Sequence, residues 1–389
     1  MPIAFKTEID PTPKQRQKIH QSIGNCRWLY NRYIAYNKEQ YEKTGAFVGA
    51  NQFDQYINHV LSKEYVWIKK CGSKARKKAI VNAETAFKRF FKGFAQFPRF
   101  KKKRDQDVKI YFPKNNETDL TVERHRIKIP TLGWVRLKEK GYIPIHGRVS
   151  SCTIEQKANR YYLSVLFTEV PKTKKQKERK KQPYTEGIGL DVGLKDLVII
   201  STGRKFQNIN KSSEIKRTEK RLKRAQRALS RKYESKKKRG EKPATNGSNI
   251  RKNVLRVQKL YQRLARIREA YRAWVVSQIV KTKPSFITIE RLNVKGMMKN
   301  RYLSKAISAQ GFYDFKKKLM NACFKHEIEL REVDLFYPSS KFCSYCGHKK
   351  VNLSLSERIF HCDKCGHVID RDLNAAINLR QAKTYAILT

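Results

Sequence analysis

The chain has 389 residues, room for two or three domains at roughly 150 residues each. Lys and Arg number 87 against 34 Asp and Glu, a formal charge of +53, so the folded chain needs a lasting polyanionic partner. Apolar residues at 39% with 19 Tyr and 19 Phe exclude a disordered basic tail, no apolar run approaches the roughly 18 residues of a membrane span, and Lys6, Glu8 and Asp10 break up any secretory leader.

In chain order, residues 3–9 read as a strand closed by Pro11 and Pro13, with Thr12 as N-cap and Pro13 at the first helical position. Ile19, Ile23, Cys26, Tyr30 and Tyr33 then recur at spacings of 4, 3, 4 and 3, the stripe of an amphipathic helix. Helical patterning resumes between residues 52 and 91. Five strand-like segments follow, at 108–112, 126–129, 134–137, 149–154 and 161–167. We expect a small antiparallel β-barrel with a helical insertion after its first strand. Within it, Phe97, Arg99, Phe100, Lys101, Lys102, Lys103 and Arg104 form a basic–aromatic cluster of the kind that clamps phosphate and stacks bases. The plainer alternative is an exposed loop with a half-buried Phe pair.

Residues 171–183 carry seven Lys and Arg against Glu178 with no hydrophobic period, a basic interdomain linker that is either a solvated tether or a phosphate contact. Beyond it, 188–190, 196–200 and 205–209 are three short strands turning at Gly193 and Gly203. Residues 211–239 hold 14 Lys and Arg and 3 Glu, and Val257, Leu260, Leu264, Ile267, Tyr271 and Trp274 repeat at 3-4-3-4-3. Turn-rich residues 240–249 make these an antiparallel helical hairpin, whose basic face we read as a nucleic-acid contact. A buried strand at 285–290, a helix marked by Phe312, Phe315 and Leu319, and a strand at 328–336 complete the order of a mixed-sheet α/β nuclease domain.

Four of the eight cysteines form Cys343-x2-Cys346 and Cys362-x2-Cys365, fifteen residues apart. Two such turns bring four thiolates to a tetrahedron, so we expect a closed, structural Zn2+ site in a reducing compartment. Gly347 and Gly366 supply the permissive backbone after each second cysteine, and Phe342, Tyr345 and Phe360 are expected to cover its core. His348, His361 and His367 are left outside the shell, and Cys26, Cys71, Cys152 and Cys323 read as small buried residues. Asp191 and Glu290 each end an apolar strand, and Asp372 opens the last helix. Singly they read as turn, strand-end and cap residues. Together they suit Mg2+, two ions, bound through carboxylate oxygen. Asp370 competes for the third role and is left to capping or ribbon contacts.

Gly189-Leu190-Asp191-Val192-Gly193-Leu194-Lys195-Asp196, Ile289-Glu290-Arg291-Leu292-Asn293-Val294-Lys295-Gly296-Met297 and Asp370-Arg371-Asp372-Leu373-Asn374-Ala375-Ala376-Ile377-Asn378 resemble the three motifs of the RuvC-like nuclease in TnpB and its relatives, the compact type V CRISPR effectors. Ala4-Phe5-Lys6-Thr7, Asn25-Cys26-Arg27-Trp28-Leu29-Tyr30-Asn31 and Phe97-Pro98-Arg99-Phe100-Lys101 are similar to signatures of its N-terminal half. The resemblance implies an α+β multidomain chain. It places a wedge β-barrel at 1–12 and 96–170, a helical recognition lobe at 13–95 and the basic linker at 171–186. An RNase H-like (RuvC) α/β nuclease domain spans 187–342 and 366–389, carrying a four-cysteine zinc ribbon at 343–365. It implies Asp191, Glu290 and Asp372 as catalytic Mg2+ ligands, a guide RNA, double-stranded target DNA cut beside a short motif, and a transposase encoded nearby. The setting it implies is a prokaryotic cytoplasm, at the nucleoid. The alternatives are a CRISPR effector with a repeat-derived guide, a non-cleaving regulator on the same scaffold, and a guide-free junction resolvase.

Overall fold

Strand β1 (Ile3–Asp10) stops at Pro11, and the next helix is started by a capping box. The Gln15 N–H donates to Thr12 Oγ1, and the Thr12 N–H donates to Gln15 Oε1. Pro13 occupies the first helical position, as its missing N–H allows. Helix α1 (Pro13–Thr44) then runs for 32 residues to Gly45, which ends it in the left-handed conformation at φ 66°. In the computed structural model the described residues are 2–103, 108–170, 184–240, 247–354 and 356–388; Arg104 and linker residues 171–183 lie outside them. The chain divides into two compact units, Met1–Lys172 and Thr173–Thr389.

In the first unit, α2 (Ala50–Tyr56) leads through a π-turn and a 3-10 turn to α3 (Ser73–Phe91). Tyr33, Phe53, Ile57, Ile80 and Phe87 close the core between these helices and α1. The strands are β2 (Lys109–Pro113), β3 (Arg126–Ile129), β4 (Gly133–Leu137), β5 (Arg148–Lys157) and β6 (Arg160–Glu169). They join β1 in one antiparallel sheet ordered β2-β5-β6-β1-β4-β3. Ile110, Val135, Ile154, Leu163, Val165 and Phe167 line its core face, and α1 adds Ile19 and Ile23. The hydrogen-bonded order ends at β2 and β3, so among the described residues the expected barrel is seen as a six-stranded sheet with two edges.

The second unit centres on a mixed sheet ordered β14-β11-β10-β7-β8-β9. Its strands are β7 (Ile188–Asp191), β8 (Asp196–Ile200), β9 (Lys205–Gln207), β10 (Phe286–Glu290), β11 (Glu329–Val333) and β14 (Ala386–Ile387). The parallel pairs β7–β10 and β10–β11 require crossovers. The first crossover holds the helical pair α4 (Ser213–Lys238) and α5 (Ser248–Lys281). Arg263 binds Glu214 at 3.0 Å, Arg268 binds Glu219 at 2.9 Å, and Gln226 meets Tyr261 at 2.6 Å across the pair, over an apolar seam of Ile215, Leu222, Val257, Leu260 and Leu264. The second crossover holds α6 (Ser304–Gln310) and α7 (Phe312–His326). The ribbon strands β12 (Ile359–His361) and β13 (Val368–Asp370) then run into α8 (Arg371–Gln381). Two expected strands are shorter than their patterns. The one beginning at Lys205 yields at Asn208, whose side chain caps the following turn, and the one ending at Phe336 yields after Val333. No helix among the described residues is long and apolar enough to cross a membrane.

Candidate active site and metal centre

Parallel pairing sets the first two acids side by side. Leu190 on β7 is in register with Ile289 on β10, so the next residue on each strand, Asp191 and Glu290, leaves the sheet at the same edge. The third acid arrives on α8, and Gly189 explains how that helix comes so close. A Cβ at Gly189 would lie 2.0 Å from the Ala376 carbonyl oxygen and 2.5 Å from the Arg380 nitrogen. Only a bare Cα lets α8 lie on β7, and its first turn carries Asp372 towards Asp191.

The electrostatics record this convergence. Burial, then the charge of Glu290, then that of Asp372, push the Asp191 carboxyl up to about 8. Burial also raises Glu290. Asp370 is held differently. Its Oδ1 accepts the N–H groups of Asp372 and Leu373 as the N-cap of α8, and its Oδ2 binds Lys205 Nζ at 2.8 Å. Burial opposes its ionisation, but Lys205 and those N–H groups outweigh it and keep Asp370 below the usual carboxylate value. Capping is therefore where the structure puts Asp370. The other two acids act on Asp191, but the three are not drawn into a single sphere: among the described residues only the four cysteines bring ligand atoms within 4.8 Å of one another.

Residues that no sequence pattern flagged hold the turn after β7. Gln310, 2% exposed, donates through Nε2 to the Gly193 carbonyl at 2.9 Å and accepts from Asn210 at 3.1 Å. Asn208 donates to the Leu194 carbonyl at 2.8 Å. Every partner here is distant in sequence from that turn, so periodicity carries no trace of it.

The cysteine centre is built from one turn used twice. Gly347 N–H donates to the Cys343 carbonyl and Cys343 N–H to the His348 carbonyl; Gly366, Cys362 and His367 repeat the pattern. Both glycines take positive φ, 72° and 69°. The sulfurs of Cys343 and Cys365 stand 3.7 Å apart and those of Cys346 and Cys362 3.6 Å. Four thiolates about 2.3 Å from a tetrahedral ion have edges close to these distances, so the residues fit Zn2+. The backbone N–H of Cys365 is the main influence holding the Cys362 thiol below its usual value. Phe360 is buried beneath the centre with Leu353 and Ile369 beside it. Tyr345, expected to cover that core, is 79% exposed and stacks on His367 instead.

Buried amides tie this centre to the acids. Asn374 accepts from the Ser344 N–H at 2.9 Å and donates to the Phe342 carbonyl. Asn378, one turn later, donates to the Ser339 and Phe342 carbonyls at 2.7 Å. The helix that carries Asp372 is thus pinned to the first cysteine turn by two side chains that were read only as part of a motif.

In the first unit, Asn31 explains the shape of the basic–aromatic segment. It donates to the Lys101 carbonyl at 3.0 Å and accepts from the Lys101 N–H at 2.8 Å, a two-point clamp on the backbone. Phe97 docks edge-on against Phe87 and Phe90, while Phe100 is 55% exposed. Lys101 folds its ammonium over the Tyr30 ring at 3.7 Å, and burial lowers its pKa. Phe97, Arg99, Phe100, Lys101 and Lys102 line a cavity of about 1410 Å³ with Lys38, Lys78 and Lys109 across it.

Three family models match successive parts of the chain: a helix-turn-helix domain of the OrfB IS605 type over residues 1–46, the OrfB IS605 family described as "Probable transposase" over 168–301, and a Cas12f1-like TNB domain over 312–379. The first span is in fact a strand and one unbroken helix. The "Putative RNA-guided DNA endonuclease InsQ" of Escherichia coli K12 is 28% identical over 97% of this chain and 92% of its own length. A second relative of that description, from Streptomyces pristinaespiralis, is 27% identical over 97% and 89%. A Cas12f1 chain, solved with sgRNA and target DNA, superposes with a TM-score of 0.60 at 14% identity, covering 99% of both chains, and so shares the fold. With the acids, the cysteine turns and these matches in hand, the chain is similar along its length to TnpB/OrfB proteins of the IS605 type.

Proposed function

We propose that this chain is an RNA-guided, divalent-metal-dependent DNA endonuclease of a transposable element, cutting target DNA beside a short motif. The observation that carries the reading is the arrival of Asp191, Glu290 and Asp372 from two parallel strands and a helix at one sheet edge. The mixed sheet is then an RNase H-like, RuvC-type nuclease domain, the six-stranded sheet a wedge, and the α1–α3 helices a recognition lobe. Asp191, Glu290 and Asp372 would hold Mg2+, and their hard oxygens, with the charges of the other two bearing on Asp191, fit a divalent cation. Such an ion supplies Lewis-acid polarisation of a phosphodiester and a lowered pKa for the attacking water. The protein's own share is positional. Gly189 seats α8, Asp370 caps it and stays neutralised by Lys205, and Gln310 holds the turn that follows Asp191.

A net charge of +53 and the clamp-held cluster at Phe97, Arg99, Phe100, Lys101, Lys102 and Lys103 support a wrapped guide RNA as partner, with Zn2+ bracing the ribbon. Arg104, Mg2+ stoichiometry, a nearby transposase and a place at the nucleoid belong to the same reading. The test is plasmid cleavage by the RNA-loaded protein. Asp191→Ala is expected to cut at less than about one-hundredth of the wild-type rate while binding target with unchanged affinity. Undiminished cutting by that variant sinks the assignment.

A further inference from the structure

The turn that leaves Asp191 is anchored by two side-chain amides. The Leu194 carbonyl accepts Asn208 Nδ2 at 2.8 Å, and the Gly193 carbonyl accepts Gln310 Nε2 at 2.9 Å. The two donors are oriented by different means. Asn208 Oδ1 accepts the backbone N–H of Asn210 at 2.9 Å, so the main chain itself turns that amide. Gln310, buried at the end of α6, takes its orientation from a side chain: its Oε1 accepts Asn210 Nδ2 at 3.1 Å.

An amide can offer either its oxygen or its nitrogen, and here the choice is made further back. Asn210 Oδ1 accepts Arg268 Nε at 2.7 Å. A guanidinium only donates, so Asn210 has to meet it with oxygen. That leaves the Asn210 nitrogen for Gln310, which answers with Oε1 and so turns Nε2 to the Gly193 carbonyl. Arg268 is held in turn by Glu219 on α4, its Nη2 at 2.9 Å from the carboxylate. Arg272, four residues along α5, donates to the main-chain carbonyl of Gln310 at 3.2 Å and to Asp314 at 2.7 Å. Helix α5 thus grips Gln310 by its backbone and, through Asn210, by its amide.

We infer that Arg268 is a positioning residue for Asp191, setting through Asn210 and Gln310 the sense of the hydrogen bond that anchors the turn after the acid. Without its guanidinium the two amides are free to reverse, and a reversed Gln310 sets oxygen against the Gly193 carbonyl. A buried carbonyl that loses its donor pulls away, and Gly193 is two residues from the carboxylate. A metal ligand whose supporting hydrogen bonds are removed loses affinity and rate together. The inference rests on the reading of Asp191 as a ligand of the cutting centre, and the experiment separates the two. The helical pair supplies a control: Arg263 and Glu214 also join α5 to α4, at 3.0 Å, and stand outside the chain from Arg268 to Gly193.

The test is single-turnover plasmid cleavage by the full-length, RNA-loaded protein across a Mg2+ series, with filter binding of target DNA in chelator. Arg268→Leu, Gln310→Met and Asn210→Asp are each expected to cut about tenfold more slowly and to need more Mg2+ for half the maximal rate, with target affinity unchanged. Asn210→Asp keeps the side chain's shape and an acceptor for Arg268 but has no donor for Gln310, so it tests the chain without emptying the core. Arg268→Leu and Gln310→Met combined are expected to cut no more slowly than the slower of the two alone, as members of one network do. Glu214→Gln is expected to cut like the wild type. Undiminished cutting by Asn210→Asp or Arg268→Leu overturns the positioning role, and so does a multiplied loss in the double variant. An equal loss in Glu214→Gln assigns the effect to packing of the helical pair, and a parallel loss of target binding makes the role merely structural; either overturns the inference while leaving the nuclease reading intact. A wild-type protein that retains RNA and binds target but does not cut in Mg2+ overturns the nuclease reading itself, and the role of Arg268 with it.

Discussion

Asp191 is ionised at a cost, and that makes its removal informative. Its carboxyl stands at about 8 in the fold against 3.8 in an unstructured chain. The metal-free fold therefore holds a proton that the unfolded chain releases, and stability falls as pH rises from about 4 to about 8. Asp191→Asn should melt with the wild type at acid pH and above it at alkaline pH in chelator, by about 0.5–2 kcal/mol, while losing cleavage. Melting curves across that range check it; a variant less stable than wild type at high pH would mean the carboxylate is held by favourable contacts. Gly189→Ala carries the opposite sign. Its Cβ would meet backbone atoms at 2.0 and 2.5 Å, which cannot rotate aside. We expect a loss of more than about 3 kcal/mol, read as insolubility or a collapsed melting temperature. Asp191 and Glu290 stand out in the sequence because each ends an apolar run, and Asp372 because it opens the last helix. The need for glycine at 189 could not, because it comes from a helix nearly two hundred residues later.

At the scale of elements, local signals and long-range ones part company. The cap of α1, the edges of β3 and β8, and the cysteine turns were legible because each is specified within a few residues. The Asn31 clamp and the Asn374 and Asn378 brackets were not, since an amide looks the same in sequence whether it faces water or a distant carbonyl. Asn374, fully buried, is the sharper test. Asn374→Ala should cost about 1–3 kcal/mol and lower cleavage more than RNA binding, because it frees α8 and leaves the first unit untouched. Differential scanning calorimetry alongside cleavage and filter-binding assays would show it, and equal loss of both activities would contradict it. Asn31→Ala should do the reverse, weakening RNA retention through the freed Lys101 segment while single-site metal binding is kept.

Across the whole molecule the surplus of cations governs behaviour. Helix α4 exposes much of its lysine and arginine to solvent, and two of its three acids, Glu214 and Glu219, pair with arginines of α5. RNA affinity should therefore fall steeply and log-linearly with salt, and a shallow dependence would leave the charge without its polyanion. Composition alone points to a polyanionic partner; which surface meets it depends on pairing between remote segments.

Because α8 is bracketed to the first cysteine turn on one side and delivers Asp372 on the other, the sulfur cluster and the acids share a single strut. Stripping an ion from those thiolates would loosen the strut and weaken cutting with Asp191, Glu290 and Asp372 all still in the chain. A host starved of zinc would thereby silence the element's cutting, and restoring the metal would restore it.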